Sequence, residues 1–366
     1  MRGVLAALLA AGLTLVTGAA GPQDDVGEAA RAGQWQLAAL RLPEAWRTAT
    51  GEGVLVAVLD TGVDARHPDL RGTVIQGPDL TRAGKGPRAR HGTAMASLIA
   101  GRGHGENHRS GVLGVAPAAK VLSVRVTLEN GDPRRGRRHL GRDALAKGIR
   151  YAADHGADVI SMSLGGGSGS WEGSASEEEA VQYAIGKGCV LVASAGNDGA
   201  STNRKNFPAA YPGVIAVGAV DRRLKVAPFS NRQHYVSVVA PGADIVTADP
   251  GESYVVSDGT SSAAAMVAGV AALIRAAHPG MSPYHVRMAI ELGTRRRPAD
   301  GYSPAYGHGV VSAAGALREA ARLDATARGA ARAGTAPASR TPVVAAMVGL
   351  ALAMSARVLL RRRRRP

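Results

Sequence analysis

The run Val54-Leu55-Val56-Ala57-Val58-Leu59-Asp60-Thr61-Gly62 decides the fold. Its unbroken apolar residues predict a strand that is covered on both faces, as the strands of a parallel sheet are. Asp60 ends the run and precedes a Thr-Gly turn, so its carboxylate is expected at the carboxyl edge of that sheet. Binding sites of open α/β sheets form at this edge. Asp60 is therefore the first candidate for a functional residue.

Strand and helix patterns alternate along the rest of the chain. Further apolar runs predict buried strands over 121–126, 159–164 and 190–193. Helical patterns cover 143–155 with Asp143 as N-cap, a segment that begins with a capping box of Ser176 and Glu179, and then 261–277, 283–292 and 310–317. The chain is thus predicted to be α/β, with a mostly parallel sheet flanked by helices.

Two further motifs offer the partners that Asp60 needs for acyl-transfer chemistry. Arg90-His91-Gly92-Thr93 supplies an imidazole, and Asp258-Gly259-Thr260-Ser261 supplies a hydroxyl. A serine hydroxyl is a weak nucleophile at neutral pH and needs a base to take its proton. The base in turn needs a carboxylate that orients it. Asp60, His91 and Ser261 are therefore the candidate catalytic residues.

The chain order Asp, His, Ser, with these flanking residues, resembles the subtilases, the subtilisin-like serine endopeptidases. The resemblance extends over about residues 35–317 and implies a subtilisin-like fold and an Asp60, His91, Ser261 triad. Ser194-Ala195-Gly196-Asn197 matches the stretch in which the family places an amide that donates to the oxyanion, which implies that role for Asn197. Residues 159–167 match the edge segment that pairs with the substrate backbone, which implies substrate binding by Ser163, Leu164, Gly165 and Gly166.

Both ends of the chain are predicted to involve a membrane. Arg2, an apolar stretch over 4–16 and the small residues that follow predict a signal peptide over 1–20. Residues 342–360 form an apolar run that is long enough, at about 1.5 Å per helical residue, to cross a bilayer core of about 30 Å. The basic tail, 361–366, is expected in the cytoplasm, which places the catalytic domain outside the membrane.

The remaining parts follow from these boundaries. Residues 21–53 form an N-terminal extension, 54–320 the catalytic domain, and 321–341 a flexible linker rich in Ala, Arg, Gly, Thr and Pro. The sequence thus predicts a single-pass protein of the cell membrane with one C-terminal transmembrane helix and an extracytoplasmic catalytic domain.

This order of parts is similar to that of the mycosins, the membrane-anchored subtilases of type VII secretion. Gln34-Trp35-Gln36-Leu37 and Pro43-Glu44-Ala45-Trp46 add to the similarity. It implies an extension that stays attached and wraps the catalytic domain. It also implies a peptide or protein substrate, the membrane and membrane components of the secretion system as partners. Mycosins commonly carry disulfides, but Cys189 is the only cysteine here and is predicted to be a small buried residue.

Composition argues against other classes. Aromatic residues make up 4% of the chain, which argues against a nucleic-acid stacking surface and hence against a nucleic-acid partner. The formal net charge of +15 owes six charges to Arg357 and residues 361–365. No cofactor and no metal site are expected. Asp69 matches a calcium-ligand position of the family, so a structural calcium ion stays an open alternative, although the loop 106–110 places an arginine beside it.

Two residue patterns carry alternatives. His104 and His108 share a stretch with Gly103 and Gly105, which predicts a flexible loop rather than a zinc site. Ser262 and Ala265 depart from the family pattern after the nucleophile and support a second hypothesis, a mainly structural subunit of a membrane secretion complex with little proteolytic role. The preferred hypothesis is a membrane-anchored extracytoplasmic serine endopeptidase linked to type VII secretion.

Overall fold

The structure is a computed structural model and describes residues 24–84, 89–134, 143–165 and 173–334. The predicted signal peptide, membrane span and basic tail lie outside these ranges, as does Gly166. The strands, in chain order, are β1 (Leu55–Asp60), β2 (Val74–Asp79), β3 (Arg102–His104), β4 (Ser110–Leu113), β5 (Lys120–Arg125), β6 (Val159–Met162), β7 (Val190–Ser194), β8 (Ile215–Val220), β9 (Val236–Pro241), β10 (Ile245–Asp249) and β11 (Ser253–Ser257). The α-helices are α1 (Asp25–Ala32), α2 (Gln36–Ala39), α3 (Leu42–Ala45), α4 (Arg90–Ala100), α5 (Ala144–Asp154), α6 (Ala175–Gly186), α7 (Thr260–Ala277), α8 (Pro283–Leu292) and α9 (Ala313–Gly334).

A parallel sheet organises the domain. Within the described ranges it has seven strands in the order β2-β5-β1-β6-β7-β8-β9, and every neighbouring pair in it is parallel. The four apolar runs that predict strands correspond to β1, β5, β6 and β7, so the predicted α/β class and mostly parallel sheet are confirmed. Two antiparallel hairpins, β3–β4 and β10–β11, lie outside this sheet.

The alternation of side chains along β1 divides the core into two layers. Val56 and Val58 belong to the cluster that includes α4 and α7, whereas Ala57 and Leu59 belong to the cluster that includes α5 and α6. All four side chains are almost completely buried. Helices therefore cover both faces of the sheet, which is why its strands are apolar without interruption.

Helix α7 fills the centre of the first layer. In the part of the chain that the structure describes, it is the one helix long and apolar enough to cross a membrane, with a mean hydropathy of 1.4, yet 83% of it is buried inside the domain. Small residues let neighbouring backbones approach it closely. A Cβ added to Gly269 would lie 2.5 Å from the Cβ of Val115. Helix α7 is thus a core helix of the domain.

The described part of the N-terminal extension lies on β4 and the residues that follow it. Gln34 exchanges two hydrogen bonds with Leu113, donating through Nε2 to its carbonyl (3.0 Å) and accepting from its N–H (2.9 Å). Arg31 Nε donates to the Gly111 carbonyl (2.9 Å), and Trp46 Nε1 donates to the Val115 carbonyl (2.8 Å). These contacts fasten the extension to the catalytic domain.

The C-terminal predictions need two corrections. The predicted helix over 310–317 begins only at Ala313, because Val310 exchanges backbone hydrogen bonds with Arg295. The same helix then continues to Gly334, so the first part of the predicted flexible linker, 321–341, is helical. Alanine and arginine favour helix, and the ion pair of Asp324 with Arg328, four residues apart, adds to it.

Asp143 is the N-cap of α5 as predicted, although its side chain makes no capping hydrogen bond. Two other local predictions are wrong. Helix α6 is capped by Ser174, whose Oγ accepts from the Glu177 N–H, and not by Ser176. The predicted flexible loop around His104 is instead the β3–β4 hairpin.

Candidate active site

The carboxyl ends of β1, β6 and β7, which are neighbours in the sheet, meet at one edge beside a cleft of about 380 Å³. Asp60 is the last residue of β1, and Asn197 follows β7. The N-termini of α4 and α7 bring His91 and Ser261 to the same edge. The cleft is lined, among others, by His91, Ser163, Leu164, Gly165, Asn197 and Ser261. The structure therefore brings together every predicted site residue that it describes.

Asp60 lies behind His91 and fixes its orientation. The Nδ1 atom of His91 lies 2.8 Å from Asp60 Oδ1 and 2.9 Å from Oδ2. The Asp60 side chain is 1% exposed and that of His91 is 33% exposed. A carboxylate only accepts hydrogen bonds, so Nδ1 is the donor and a neutral imidazole carries its lone pair on Nε2. This is the tautomer that a general base requires.

Small residues hold the first turn of α4 against the end of β1. The Gly92 N–H donates to Thr61 Oγ1 (3.1 Å), and a side chain at Gly92 would overlap the Gly62 carbonyl. The His91 N–H donates to Glu129 Oε1 (3.3 Å). Sequence reasoning missed the supporting roles of Thr61 and Glu129, although Thr61 directly follows the candidate Asp60.

Thr260 orients the carboxamide of Asn197. Asn197 Oδ1 accepts two hydrogen bonds, from the Thr260 N–H (2.9 Å) and from Thr260 Oγ1 (2.8 Å). Because the oxygen is occupied in this way, the Nδ2 group is the donor that remains for an oxygen in the cleft. Sequence reasoning assigned no role to Thr260, which directly precedes the candidate nucleophile.

Ser261 stands in the first turn of α7, an 18-residue helix. The N-terminus of a helix carries partial positive charge, which favours negative charge that develops beside it. Ser163 Oγ donates to the Ser261 carbonyl (3.1 Å), so this predicted substrate-binding residue also ties the end of β6 to α7. Ser262 and Ala265, which depart from the family pattern, are buried at 2% and 0% exposure and do not line the cleft.

Comparison with known proteins decides the family. The model of the subtilase family matches residues 51–309, which is more than half of the chain. The chain belongs to the subtilase family.

Individual relatives agree with this assignment. The chain is 43% identical over 250 residues to the thermophilic serine proteinase of Bacillus sp. (strain AK1), a match that covers 68% of this chain and 58% of that protein. It is 40% identical to thermitase of Thermoactinomyces vulgaris, covering 69% of this chain and 85% of thermitase. The crystal structure of MycP1 from the ESX-1 type VII secretion system matches with a TM-score of 0.65 and 30% identity, covering 77% of this chain and 85% of MycP1.

These matches confirm a subtilisin-like α/β fold and a serine protease domain, and the similarity to MycP1 agrees with the expected resemblance to the mycosins. The chain spans little more than half the length of the Bacillus proteinase.

One end of the subtilase cleft is acidic. Asp143 and Glu177 both line it. Burial raises the pKa of Glu177, against the effect of the hydrogen bond from the Tyr211 hydroxyl (2.9 Å), and the charge of Asp143 raises it further. Among the described residues, neither Asp143 nor Glu177 forms a salt bridge with a basic side chain, so this end of the cleft carries two carboxyl groups without a cationic partner.

Hydrogen-bond donors occupy both oxygens of the Asp69 carboxylate. Its Oδ1 accepts from His104 Nδ1 (2.6 Å) and its Oδ2 from the Val112 N–H (2.7 Å). Calcium takes six to eight oxygen ligands, so this arrangement does not suit the ion. Among the described residues, no three His, Cys, Asp or Glu side chains are grouped as a metal site.

Cys189 is buried beside β7 at 2% exposure. Burial raises the pKa of its thiol to about 11, which keeps it protonated and unreactive at neutral pH. The prediction of a small buried residue is confirmed.

Proposed function

We propose that this subtilase is a membrane-anchored extracytoplasmic serine endopeptidase that hydrolyses peptide bonds through Asp60, His91 and Ser261. The observation that carries the proposal is the contact of His91 Nδ1 with both oxygens of buried Asp60, at the edge where Ser261 lines the same cleft. The serine proteinases among its relatives support the same activity.

The residues divide the reaction between them. Ser261 Oγ attacks the carbonyl carbon of the scissile bond while His91 Nε2 takes its proton. Asn197 Nδ2 donates to the oxyanion that forms. His91 then returns the proton to the leaving amine as the C–N bond breaks, and water repeats the sequence on the acyl-enzyme. Asp60 stabilises the imidazolium at each stage.

The part of the edge segment that follows β6, Ser163–Gly165 among the described residues, holds the substrate in this proposal. Gly165 has a φ of 138°, which only glycine adopts readily. A Cβ at Gly165 would overlap the side chain of Asn206, so glycine lets the segment keep this course, along which an extended peptide pairs through its main chain. Gly166 is assigned the same role from the sequence.

The sequence of the chain's ends supports the proposed location. The signal peptide over 1–20 and the apolar run over 342–360 would leave the catalytic domain outside the membrane, and the basic tail over 361–366 inside. Similarity to MycP1, whose structure is described as part of the ESX-1 type VII secretion system, supports a link to type VII secretion and membrane components of that system as partners. No cofactor and no metal ion is required.

Fluorophosphonate labelling of the full-length protein in detergent tests the activity. We expect one adduct, located on Ser261 by mass spectrometry, which is absent in Ser261→Ala and retained in the control Ser262→Ala. Wild-type protein that unfolds cooperatively but takes no label would contradict the endopeptidase and favour the structural subunit. Removal of residues 342–366 should release the domain from the membrane fraction, and retention there would contradict the anchor.

A further inference from the structure

Asn206 lies between the two walls of the cleft. One wall is the edge segment, and the other is the oxyanion loop, which we define as residues 194–197. Asn206 Nδ2 donates to the Ser194 carbonyl (2.9 Å) and to the Leu164 carbonyl (3.3 Å). The side chain is almost completely buried, at 1% exposure. A single amide group therefore bonds both walls.

The hydrogen bonds fix which way this amide faces. In the opposite orientation, Oδ1 would oppose the two carbonyl oxygens and both bonds would be lost. In the observed orientation, Oδ1 is buried without a hydrogen-bond partner among the described residues. It lies against Gly165, where an added Cβ would overlap the amide. A buried polar atom without a hydrogen-bond partner destabilises the folded protein. The fold tolerates this at Asn206 Oδ1 while Nδ2 bonds both walls, and a residue that only filled space would not need an amide here.

The regular sheet ends within the edge segment, before Ser163–Gly165. The last paired residues of β6 and β7 are Met162 and Ala193. Beyond them, side chains connect the two walls, since Ser194 Oγ donates to the Leu164 carbonyl (3.2 Å) and Asn206 adds its two bonds. Beyond the last backbone pair of β6 and β7, the side chain of Asn206 therefore connects the two walls.

Asn206 is itself held in place from the side of the oxyanion loop. Its N–H donates to the Tyr235 hydroxyl (2.9 Å), which donates to the Ala195 carbonyl (3.1 Å). On the same loop, the Asn231 N–H donates to the Gly196 carbonyl (3.0 Å). The oxyanion loop is thus the fixed wall, and the edge segment is the wall that Asn206 secures to it.

We propose that Asn206 is a positioning residue that sets the separation of the edge segment from the oxyanion loop, and that it thereby gives the enzyme its preference for extended peptides over short substrates. The inference rests on the proposed endopeptidase function. A backbone that is already ordered costs less conformational entropy when a peptide pairs with it. A short substrate that occupies only the catalytic end of the cleft does not pair with the edge segment, so its binding does not benefit from the order of that segment.

Two substrates with the same residue at the scissile bond test the proposal, one a single-residue ester and the other a tetrapeptide ester. The length gain is the ratio of kcat/KM for the longer to that for the shorter substrate. For Asn206→Ala in the full-length protein we expect the length gain to fall about tenfold, chiefly through KM. Fluorophosphonate labelling of Ser261, which does not use the edge segment, should stay within about threefold of wild type.

Two further variants separate positioning from packing. Asn206→Asp keeps the shape of the side chain but places an oxygen against both carbonyls, so the length gain should fall at least as far as in Asn206→Ala. It also carries the test if Asn206→Ala does not fold. Gln34→Ala removes two comparable buried hydrogen bonds far from the cleft and should keep the wild-type length gain.

The results that would contradict the inference differ from those that would contradict the proposed function. A wild-type length gain in Asn206→Asp would overturn the inference, as would an equal loss in Gln34→Ala, which would indicate a general loss of structure. Wild-type protein without labelling or hydrolysis would contradict the proposed function itself, and the inference with it.

Discussion

His91 Nδ1 is almost equidistant from the two carboxylate oxygens of Asp60, at 2.8 and 2.9 Å. The Thr61 N–H also donates to Asp60 Oδ1 (2.7 Å), so the carboxylate is held from the protein side as well. The imidazole therefore faces a fixed, buried acceptor.

Replacing Asp60 with asparagine should remove catalysis while leaving binding. An amide can present its NH₂ group to Nδ1, which would favour the wrong tautomer of His91. We expect kcat to fall about 10⁴-fold with little change in KM, measured by steady-state hydrolysis of a peptide ester. Asp64→Asn, which changes a nearby carboxylate paired with Arg66, is the control and should keep wild-type kcat. A kcat for Asp60→Asn within tenfold of wild type would contradict the assigned role.

Thr260→Val should weaken oxyanion stabilisation through Asn197. Valine keeps the shape but removes the Oγ1 donor, so the Asn197 carboxamide is held less firmly. We expect kcat to fall about tenfold, against about 100- to 1,000-fold for Asn197→Ala. In the Asn197→Ala background, Thr260→Val should have little further effect on kcat. Additive losses across the four proteins would show that Thr260 acts independently of Asn197.

The attachment of α1 should depend on the protonation of His104. Its Nε2 lies 2.5 Å from Asp24 Oδ2 and its Nδ1 2.6 Å from Asp69 Oδ1, so both nitrogens must donate. Burial acts to lower the pKa of His104, but the hydrogen bonds and charges of Asp69 and Asp24 outweigh it and the pKa is raised. The Tyr254 hydroxyl also faces this cluster, and the Arg31 guanidinium interacts with the charge of Asp69.

The sign of the pH effect follows from the direction of these shifts. The folded-state pKa of His104 is raised above its ordinary value of 6.5. The stability that protonated His104 gives to the attachment of α1 is therefore fully present below pH 6.5 and is lost as the pH rises through the folded-state pKa. The pKa of Asp24 is lowered, chiefly by the hydrogen bond from the Gly27 N–H. The stability that ionised Asp24 gives to the attachment of α1 is therefore lost only as the pH falls below the ordinary carboxyl range. We expect hydrogen-exchange protection of α1 to decline on the alkaline side in wild type. The decline should be absent in His104→Gln and retained in the control His285→Gln, and the same profile in all three would refute the dependence.

Two helical glycines should respond to alanine in opposite directions. Gly269 packs against Val115 inside the domain, so Gly269→Ala should lower the free energy of unfolding by about 1–3 kcal/mol through overpacking. A Cβ at Gly186, the last residue of α6, meets nothing within 4 Å, so Gly186→Ala should raise that free energy by about 0.5–1 kcal/mol. Denaturant unfolding measures the free energy of unfolding of both variants. A shift of the same sign in the two would show that the contact of Gly269 with Val115 does not determine the effect of Gly269→Ala on stability.

The strands β1, β5, β6 and β7 and the candidate site residues could be predicted because their signals are local. Burial on both faces makes a strand apolar throughout, which marks β1, β6 and β7 without any knowledge of their neighbours. Asp60, His91, Asn197 and Ser261 each follow a strand or begin a helix within a short motif. The polar side chains of the site therefore stand out from their own surroundings in the sequence.

The errors arise where two local sequence patterns are equivalent and a contact with a distant residue determines which structure forms. Ser174 and Ser176 each precede a glutamate by three positions, and Ser174 becomes the cap of α6 because its backbone is bound to the Tyr211 hydroxyl. Asn206 could not be predicted, since its role depends on carbonyls 12 and 42 residues away. Alanine and arginine suit a linker as well as a helix, and α9 forms because it packs against α8.

The burial of α7 has a consequence for the timing of activity. This helix packs against β6, β7, β8 and α4, and its first turn carries Ser261. A chain that emerges N-terminus first thus presents Asp60 and His91 long before Ser261, the nucleophile of the proposed mechanism. In that mechanism, hydrolysis cannot begin until α7 has been made and has packed into the domain.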